Sequence, residues 1–197
     1  MSHSIATPQL HLIGEVKGAQ GFDENRLFWK WEFKYGKHWN CLDGETSGET
    51  FEETKSDNEK SIYWDHPFDI HFKVNSMRGW PKIVIEVWEV SYEGRYSIAG
   101  YGIGTIPCTP GTHNIVIKCW RPTDTTTVTN TNSFDGLSSW FGFLSQWILG
   151  NRPELSNKDI LLSSAERNGF ETETTGTVIV EVGVITKDFE LYGVKLS

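Results

Sequence analysis

The feature that most limits the fold of this chain is the alternation of apolar and polar side chains between residues 63 and 104. In Phe68–Val74 and again in Lys82–Val90, apolar residues recur at every second position, and the turn Ser76–Gly79 separates the two runs. A period of two places successive side chains on opposite faces of a β-strand. The stretch therefore predicts two antiparallel strands, followed by a third, glycine-spaced strand from Tyr96 to Ile106.

The same alternation continues on both sides of this stretch. It predicts further strands at residues 10–17, 27–35, 114–120 and 177–185. The run at 82–90 is the most apolar of all, so we expect it to lie centrally in its sheet. About eight strands at this spacing predict an all-β antiparallel β-sandwich.

Two segments interrupt the pattern. Residues 43–61 are polar and acidic, and we expect mostly exposed loop there, with Phe51 placed to seed a short edge strand. Pro67 suits the start of the strand that follows, where its missing N–H costs little. The pattern also breaks across residues 121–175. We therefore predict one domain over residues 1–197, with a core formed by 9–120 and 176–194 and an insertion at 121–175.

Within that insertion, residues 138–150 predict a short aromatic helix. Ser138 or Ser139 can serve as its N-cap and Gly150 as its end. Its apolar side chains either fold back over an open face of the sheet or dock onto a partner protein or lipid headgroups. The segment contains no lysine, which favours protein over lipid. The candidate partner-binding residues are Trp140, Phe141, Phe143, Leu144, Trp147 and Ile148.

Charge and cysteine content argue against several classes of function. The formal net charge is −8 without a run of Lys or Arg, which argues against nucleic-acid binding and against simple attraction to an anionic membrane. The three cysteines form no CxxC pair, and the odd count favours a reducing, cytosolic compartment. The most apolar segment has about half the ~20 residues that a bilayer span needs. We expect a cytoplasmic protein that is not transmembrane.

The residues give no pattern for catalysis or for a bound cofactor. Carboxylates of a calcium site would come as Asp-x-Asp pairs, which the sequence lacks, although Asp23 and residues 57–59 can still converge. His66 and His71 fall on opposite faces of a strand, and the other histidines have no partner at ligand spacing. The glycines at 100–104 follow a strand pattern, so they indicate a bulge or close packing rather than a phosphate loop. We expect no enzyme activity, cofactor or metal.

Seven segments of the chain have a distinctive wording and occur in this order: HLIGEVKGAQGF, LFWKW, YWDHPFDIHF, RGWPKIVIEVW, IAGYGIGTIPCTPGTH, Trp120-Arg121-Pro122 and TGTVIVEVGVITKDFELYGV. In this order they resemble the B9-domain family, a divergent C2-like family of ciliated cells, and most closely its Stumpy-type branch. The resemblance covers most of residues 10–194, and the main departure from the family's pattern is the stretch 138–155.

This resemblance implies a C2-like sandwich and a place in the Meckel-syndrome/tectonic complex at the ciliary transition zone, beside the basal body. There, B9 proteins associate with one another and with transition-zone membrane proteins to form the gate between cell and cilium. The expected function is a non-enzymatic scaffold needed for ciliogenesis. The rival interpretation is a peripheral membrane module that binds phosphoinositide headgroups without calcium.

Overall fold

The computed structural model describes residues 7–56, 59–122, 162 and 172–195, and this part of the chain folds almost entirely into β-strands. The ten strands are β1 Gln9–Gln20, β2 Arg26–Lys34, β3 Trp39–Asp43, β4 Ser47–Glu49, β5 Glu53–Thr54, β6 Ser61–Val74, β7 Lys82–Val90, β8 Tyr96–Thr105, β9 Gly111–Pro122 and β10 Thr172–Lys187.

All strands belong to one antiparallel sheet in the order β3-β6-β1-β10-β9-β8-β7-β2-β4, with β5 also paired to β2. The sheet curls into two layers. β9 pairs with β10 over most of its length but with β8 at only Tyr101↔Trp120 and Gly102↔Cys119, which marks the turn between the layers. Aromatic rings of β2 meet β6 across the interior, with Phe33 and Phe68 centroids 5.3 Å apart. This confirms the predicted all-β, C2-like antiparallel sandwich.

The interior consists of the alternating apolar residues that the sequence pattern selects. Trp29 and Trp31 of β2 are buried there, as are alternate valines of β10 from Val178 to Val184. β7 lies between β2 and β8, so its predicted central position is correct. The glycines of β8 allow β9 to pack closely, because a Cβ at Gly104 would lie 2.8 Å from Ile117 Cδ1.

β6 is longer than predicted, and the expectation for Pro67 was wrong. The strand begins at Ser61, so Pro67 lies in its interior, opposite Glu15 of β1. Proline is tolerated there because the other neighbour, β3, pairs only with residues 71–74. At Pro67, β6 is therefore an edge strand. Asp65, with φ of 45°, lies next to a register shift in the same pairing.

The acidic segment 43–61 is more ordered than the loop that we expected. β4 and β5 pair in turn with β2 on its outer side, and Phe51 lies between them rather than in a strand. The break is fixed by Thr50, whose N–H donates to Trp29 O while its Oγ1 accepts from Trp29 N–H. β3 was not predicted at all.

The helical element of the described residues is a single 3-10 turn, Glu190–Tyr192. The preceding Phe189 is buried against Trp80, whose indole N–H donates to Ile106 O at 2.9 Å. The helix predicted at 138–150 lies outside the described residues. β9 and β10 each run slightly beyond the predicted core limits, to Pro122 and from Thr172.

Candidate functional site

The six partner-binding residues predicted from the sequence, Trp140 to Ile148, also lie outside the described residues. The structure therefore leaves that prediction as it stands. Within the described ranges, the surface that stands out is the outer face of the layer formed by β2, β7 and β8, next to the end of β9.

This outer face carries a second apolar cluster, separate from the interior. Val84 of β7 and Ile98 and Tyr101 of β8 are buried on it. The cluster is bordered by the half-buried side chains Trp88, Ile103 and Trp120. The outer face of a sheet is usually polar. The outer face of this layer is therefore unusually apolar.

Next to this cluster lies an open groove, which we call the aromatic groove. Its floor consists of Phe28, Trp88 and Tyr96, its rim of Glu49, Phe51 and Glu52, and it encloses about 790 Å³. Phe28 lies directly opposite Trp88 in the β2–β7 register, and their rings stack with centroids 6.2 Å apart. Tyr96 meets the edge of Phe28 at 5.5 Å.

The local chain geometry explains why the groove is open. β2 is paired with β4 and then with β5, and between those two strands Thr50 is buried while Phe51 and Glu52 stay outside the pairing and exposed. This leaves Phe51 89% exposed and Tyr96 55% exposed beside the half-buried Trp88. Large aromatic side chains that are grouped and exposed to water mark an interaction surface more often than a single exposed residue does.

Charged side chains surround the rings. Lys30 Nζ lies 5.3 Å from the Trp88 ring centroid and 5.9 Å from that of Phe28, so the groove already holds one cation over its aromatic floor. Glu52 accepts a hydrogen bond from Arg26 at 2.6 Å and another from the Tyr96 hydroxyl at 3.3 Å. Glu49 lies 4.0 Å from Lys30 Nζ, so each carboxylate of the rim is paired with a cation of β2. An aromatic floor bordered by ion pairs suits a ligand that brings an apolar side chain together with charged groups.

The histidines form a cluster that the sequence did not predict. The β1–β6 register places His11 opposite His71, and the rings stack 5.1 Å apart. His11 Nε2 is 2.5 Å from Asp69 Oδ1, and His71 Nε2 is 3.0 Å from Gln9 Oε1. Spacing along one strand could not reveal a pair that forms between two strands. His66 and His71 do lie on opposite faces of β6, as predicted, because His66 contacts the interior ring of Trp29.

Within the described ranges, no group of three His, Cys, Asp or Glu side chains is placed to hold a metal ion. Residues 57 and 58, which the sequence kept open as possible calcium ligands with Asp23, fall outside those ranges. Nor does this part of the chain contain a helix long and apolar enough to cross a membrane.

Burial raises the pKa of the Cys119 thiol to about 12.

The aromatic groove was not predicted, although the sequence contains a signal for it. Phe28 and Trp88 occupy positions that alternation assigns to the outer, polar face of their strands. Phe51 is an isolated aromatic residue in an acidic stretch. Each signal is weak alone, and only the strand register brings the three side chains together.

Comparison with known proteins gives consistent results. The family model described as "Ciliary basal body-associated, B9 protein" matches residues 10–185. The human protein "B9 domain-containing protein 2" is 35% identical over 95% of this chain and 98% of its own length, and the fruit-fly protein of that name is 32% identical over 96% and 99%. The mouse "B9 domain-containing protein 1" is 29% identical over 96% and 89%. Among solved structures, a C2 domain of plant Extended Synaptotagmin 1 matches with a TM-score of 0.42 at 12% identity, over 90% of this chain and 94% of that one.

Proposed function

The chain belongs to the B9 family of ciliary basal body-associated proteins, and on this premise we propose that it is a non-enzymatic scaffold of the ciliary transition zone. It assembles with other B9 proteins in the Meckel-syndrome/tectonic complex, supports ciliogenesis and helps to gate ciliary membrane proteins. The observation that carries the proposal is similarity over nearly the whole chain to B9 relatives of two kinds. The protein acts on the cytoplasmic side, beside transition-zone membrane proteins.

The aromatic groove supplies the contact surface for this assembly. Its exposed rings, Phe51 and Tyr96, lose water when a partner covers them, and each such burial contributes roughly 1.5–3 kcal/mol. A partner segment that carries an apolar side chain beside charged groups complements both the exposed rings and the ion pairs of the rim, Lys30–Glu49 and Arg26–Glu52.

The test is a binding measurement with a sister B9 protein and the double variant Phe51→Ala/Tyr96→Ala. We expect the Kd to rise at least tenfold, which corresponds to about 1.4 kcal/mol. Both side chains are exposed, so thermal stability should change little. The matched control is Tyr63→Ala, which removes a 62% exposed aromatic residue of β6, outside the groove. Unchanged affinity in the double variant, or equal loss in the control, would remove the groove from the proposal.

The aromatic segment at 138–150 is proposed as a second anchor for the same assembly. Trp140→Ala combined with Trp147→Ala should abolish partner binding while the melting temperature stays nearly unchanged. If the double variant unfolds instead, the segment belongs to the core and the docking proposal for it fails. A pull-down with two sister B9 proteins, with and without residues 136–150, separates the two outcomes.

A further inference from the structure

One end of the sandwich carries a net positive charge, although the chain as a whole is acidic. We call it the basic end and define it by the segments 34–38, 73–82, 105–111 and 186–195. These segments contain seven Lys or Arg and two Asp or Glu, a net charge of +5, whereas the whole chain carries −8. The cations come from three of the segments, and both acids lie in the last one.

Direct contacts join the four segments into one surface. Gly36 N–H donates to Gly79 O at 2.8 Å, which ties the end of β2 to the turn between β6 and β7. Trp80 donates to Ile106 O at 2.9 Å, and its ring lies 6.5 Å from that of Phe189. Strand pairing adds further links. The basic end is therefore a property of the folded sheet and not of any single segment.

Six of the seven cations of this end have no acid at ion-pair distance within the described residues. Lys34 forms an ion pair with Glu32 at 2.7 Å, and its cross-strand neighbour is another cation, Lys82. Within the described part of the chain, no carboxylate lies within ion-pair distance of the remaining six cations: Lys37, Lys73, Arg78, Lys82, Lys187 and Lys195. Like charges kept together without counter-charges destabilise the isolated fold slightly. Such an arrangement is typical of a surface that meets an anionic partner.

Exposed apolar side chains lie at the same end, next to Lys187 and to its two acids, Asp188 and Glu190. Leu191 and Tyr192, in the 3-10 turn, are 71% and 51% exposed, and Tyr35 follows the end of β2 with part of its ring in water. A soluble acidic partner segment would satisfy the cations but would leave these side chains in water. At a bilayer surface, by contrast, Tyr lies at the headgroup level, Leu enters the acyl boundary, and Lys and Arg reach the anionic headgroups.

We infer that the basic end docks onto an anionic lipid leaflet. The contact is peripheral and calcium-independent, and many weak charge contacts, assisted by Leu191 and Tyr192, hold it there. A flat anionic surface satisfies cations from three separate segments at once. The inference goes beyond the scaffold role and does not depend on the aromatic groove, which lies at the opposite end of β2 and β7.

The test is co-sedimentation of the full chain with vesicles of phosphatidylcholine that contain phosphatidylserine, compared with pure phosphatidylcholine. We expect binding only to the anionic vesicles, and we expect it to fall steeply toward about 0.5 M salt, where the screening length is a few Å. The variant Lys37→Gln/Arg78→Gln should bind about 30-fold more weakly, because each cation near such a surface contributes roughly a factor of five.

The matched control is Lys60→Gln/Lys118→Gln, which removes two exposed cations away from the basic end and gives the same net charge. It should bind like the parent protein. An equal loss of vesicle binding in both double variants would show that net charge alone causes the binding. That result would overturn the proposed docking surface. Binding that resists salt, or no binding to either vesicle, would also overturn it. Leu191→Ala should weaken binding at constant charge, and an unchanged affinity would contradict the apolar contribution.

Discussion

At the scale of single residues, the three cysteines occupy environments different enough to report on the fold. Cys108 is exposed, whereas Cys119 is fully buried and burial raises its thiol pKa to about 12. Cys41 is intermediate. Burial raises its thiol pKa, although its Sγ donates to Asp43 O at 3.3 Å, and Asp43 and Glu45 add to the rise. Because only the thiolate reacts, their reactivities should differ widely.

We predict three well-separated rates with a thiol reagent such as Ellman's reagent at neutral pH. Cys108 reacts first, Cys41 more slowly, and Cys119 only after a denaturant unfolds the chain. Cys108→Ser should remove the fast phase alone. Three fast thiols in the native protein would contradict the buried position of Cys119 in the sheet.

His66 makes stability depend on pH. Its ring lies 6.1 Å from that of Trp29 and 6.2 Å from that of Trp31, and burial there lowers its pKa below the ordinary value of 6.5. The unfolded chain therefore binds the proton more tightly than the folded chain, so stability rises with pH in this range. The contribution is complete above pH 6.5 and is lost as pH falls through and below that value.

We predict that the melting temperature falls between about pH 7.5 and pH 5, and that His66→Gln flattens this part of the profile. The slope of the profile is the readout, so a constant offset caused by altered packing does not obscure it. A profile that is equally steep in His66→Gln would show that another group titrates.

At the scale of elements, the contact between β8 and β9 depends on missing side chains. A Cβ at Gly104 would lie 2.8 Å from Ile117 Cδ1 and 3.1 Å from Ile83 Cγ2, and both isoleucines are buried in the core. Gly104→Ala should therefore lower the free energy of unfolding by about 1–3 kcal/mol. Ile117→Val removes Cδ1 and alone costs about 0.5–1.5 kcal/mol.

The double variant Gly104→Ala/Ile117→Val tests this contact directly. We expect it to be more stable in urea than the sum of the two single effects, because the deleted methyl group makes room for the added one. Simple additivity would mean that the added Cβ is accommodated by movement of Ile83 or of the backbone.

The strands show how far the sequence determines the elements. β1, β2 and β10 were predictable because each buries one face and exposes more of the other over many residues. β7 is buried on both faces from Ile83 to Val87, and its continuous apolar run predicted it. β3, β4 and β5 were not, because two to five residues carry too little periodicity and their pairing depends on β2 and β6. The aromatic groove depends on the same pairing, so it escaped prediction for the same reason. The helix at 138–150 stays a prediction.

At the scale of the whole molecule, net charge is a poor guide to surfaces. A net charge of −8 correctly describes the surface on average as acidic. The fold nevertheless brings the positive charges of three distant segments together at one end. The sequence contains those charges, and only the strand order shows that they meet. The aromatic groove lies at the opposite end of β2 and β7. The two surfaces are therefore separate in space, so they can be occupied at the same time.

The last prediction concerns simultaneous occupancy of the two surfaces. It combines the two proposals, and its test can contradict either of them separately. Anionic vesicles that carry this protein should recruit a sister B9 protein that does not bind them alone. Phe51→Ala/Tyr96→Ala should remain on the vesicles but recruit no partner. Lys37→Gln/Arg78→Gln should still bind the partner in solution but leave it off the vesicles. If loss of one contact always abolishes the other, the two surfaces are not independent, and one interface must include both ends of the sandwich.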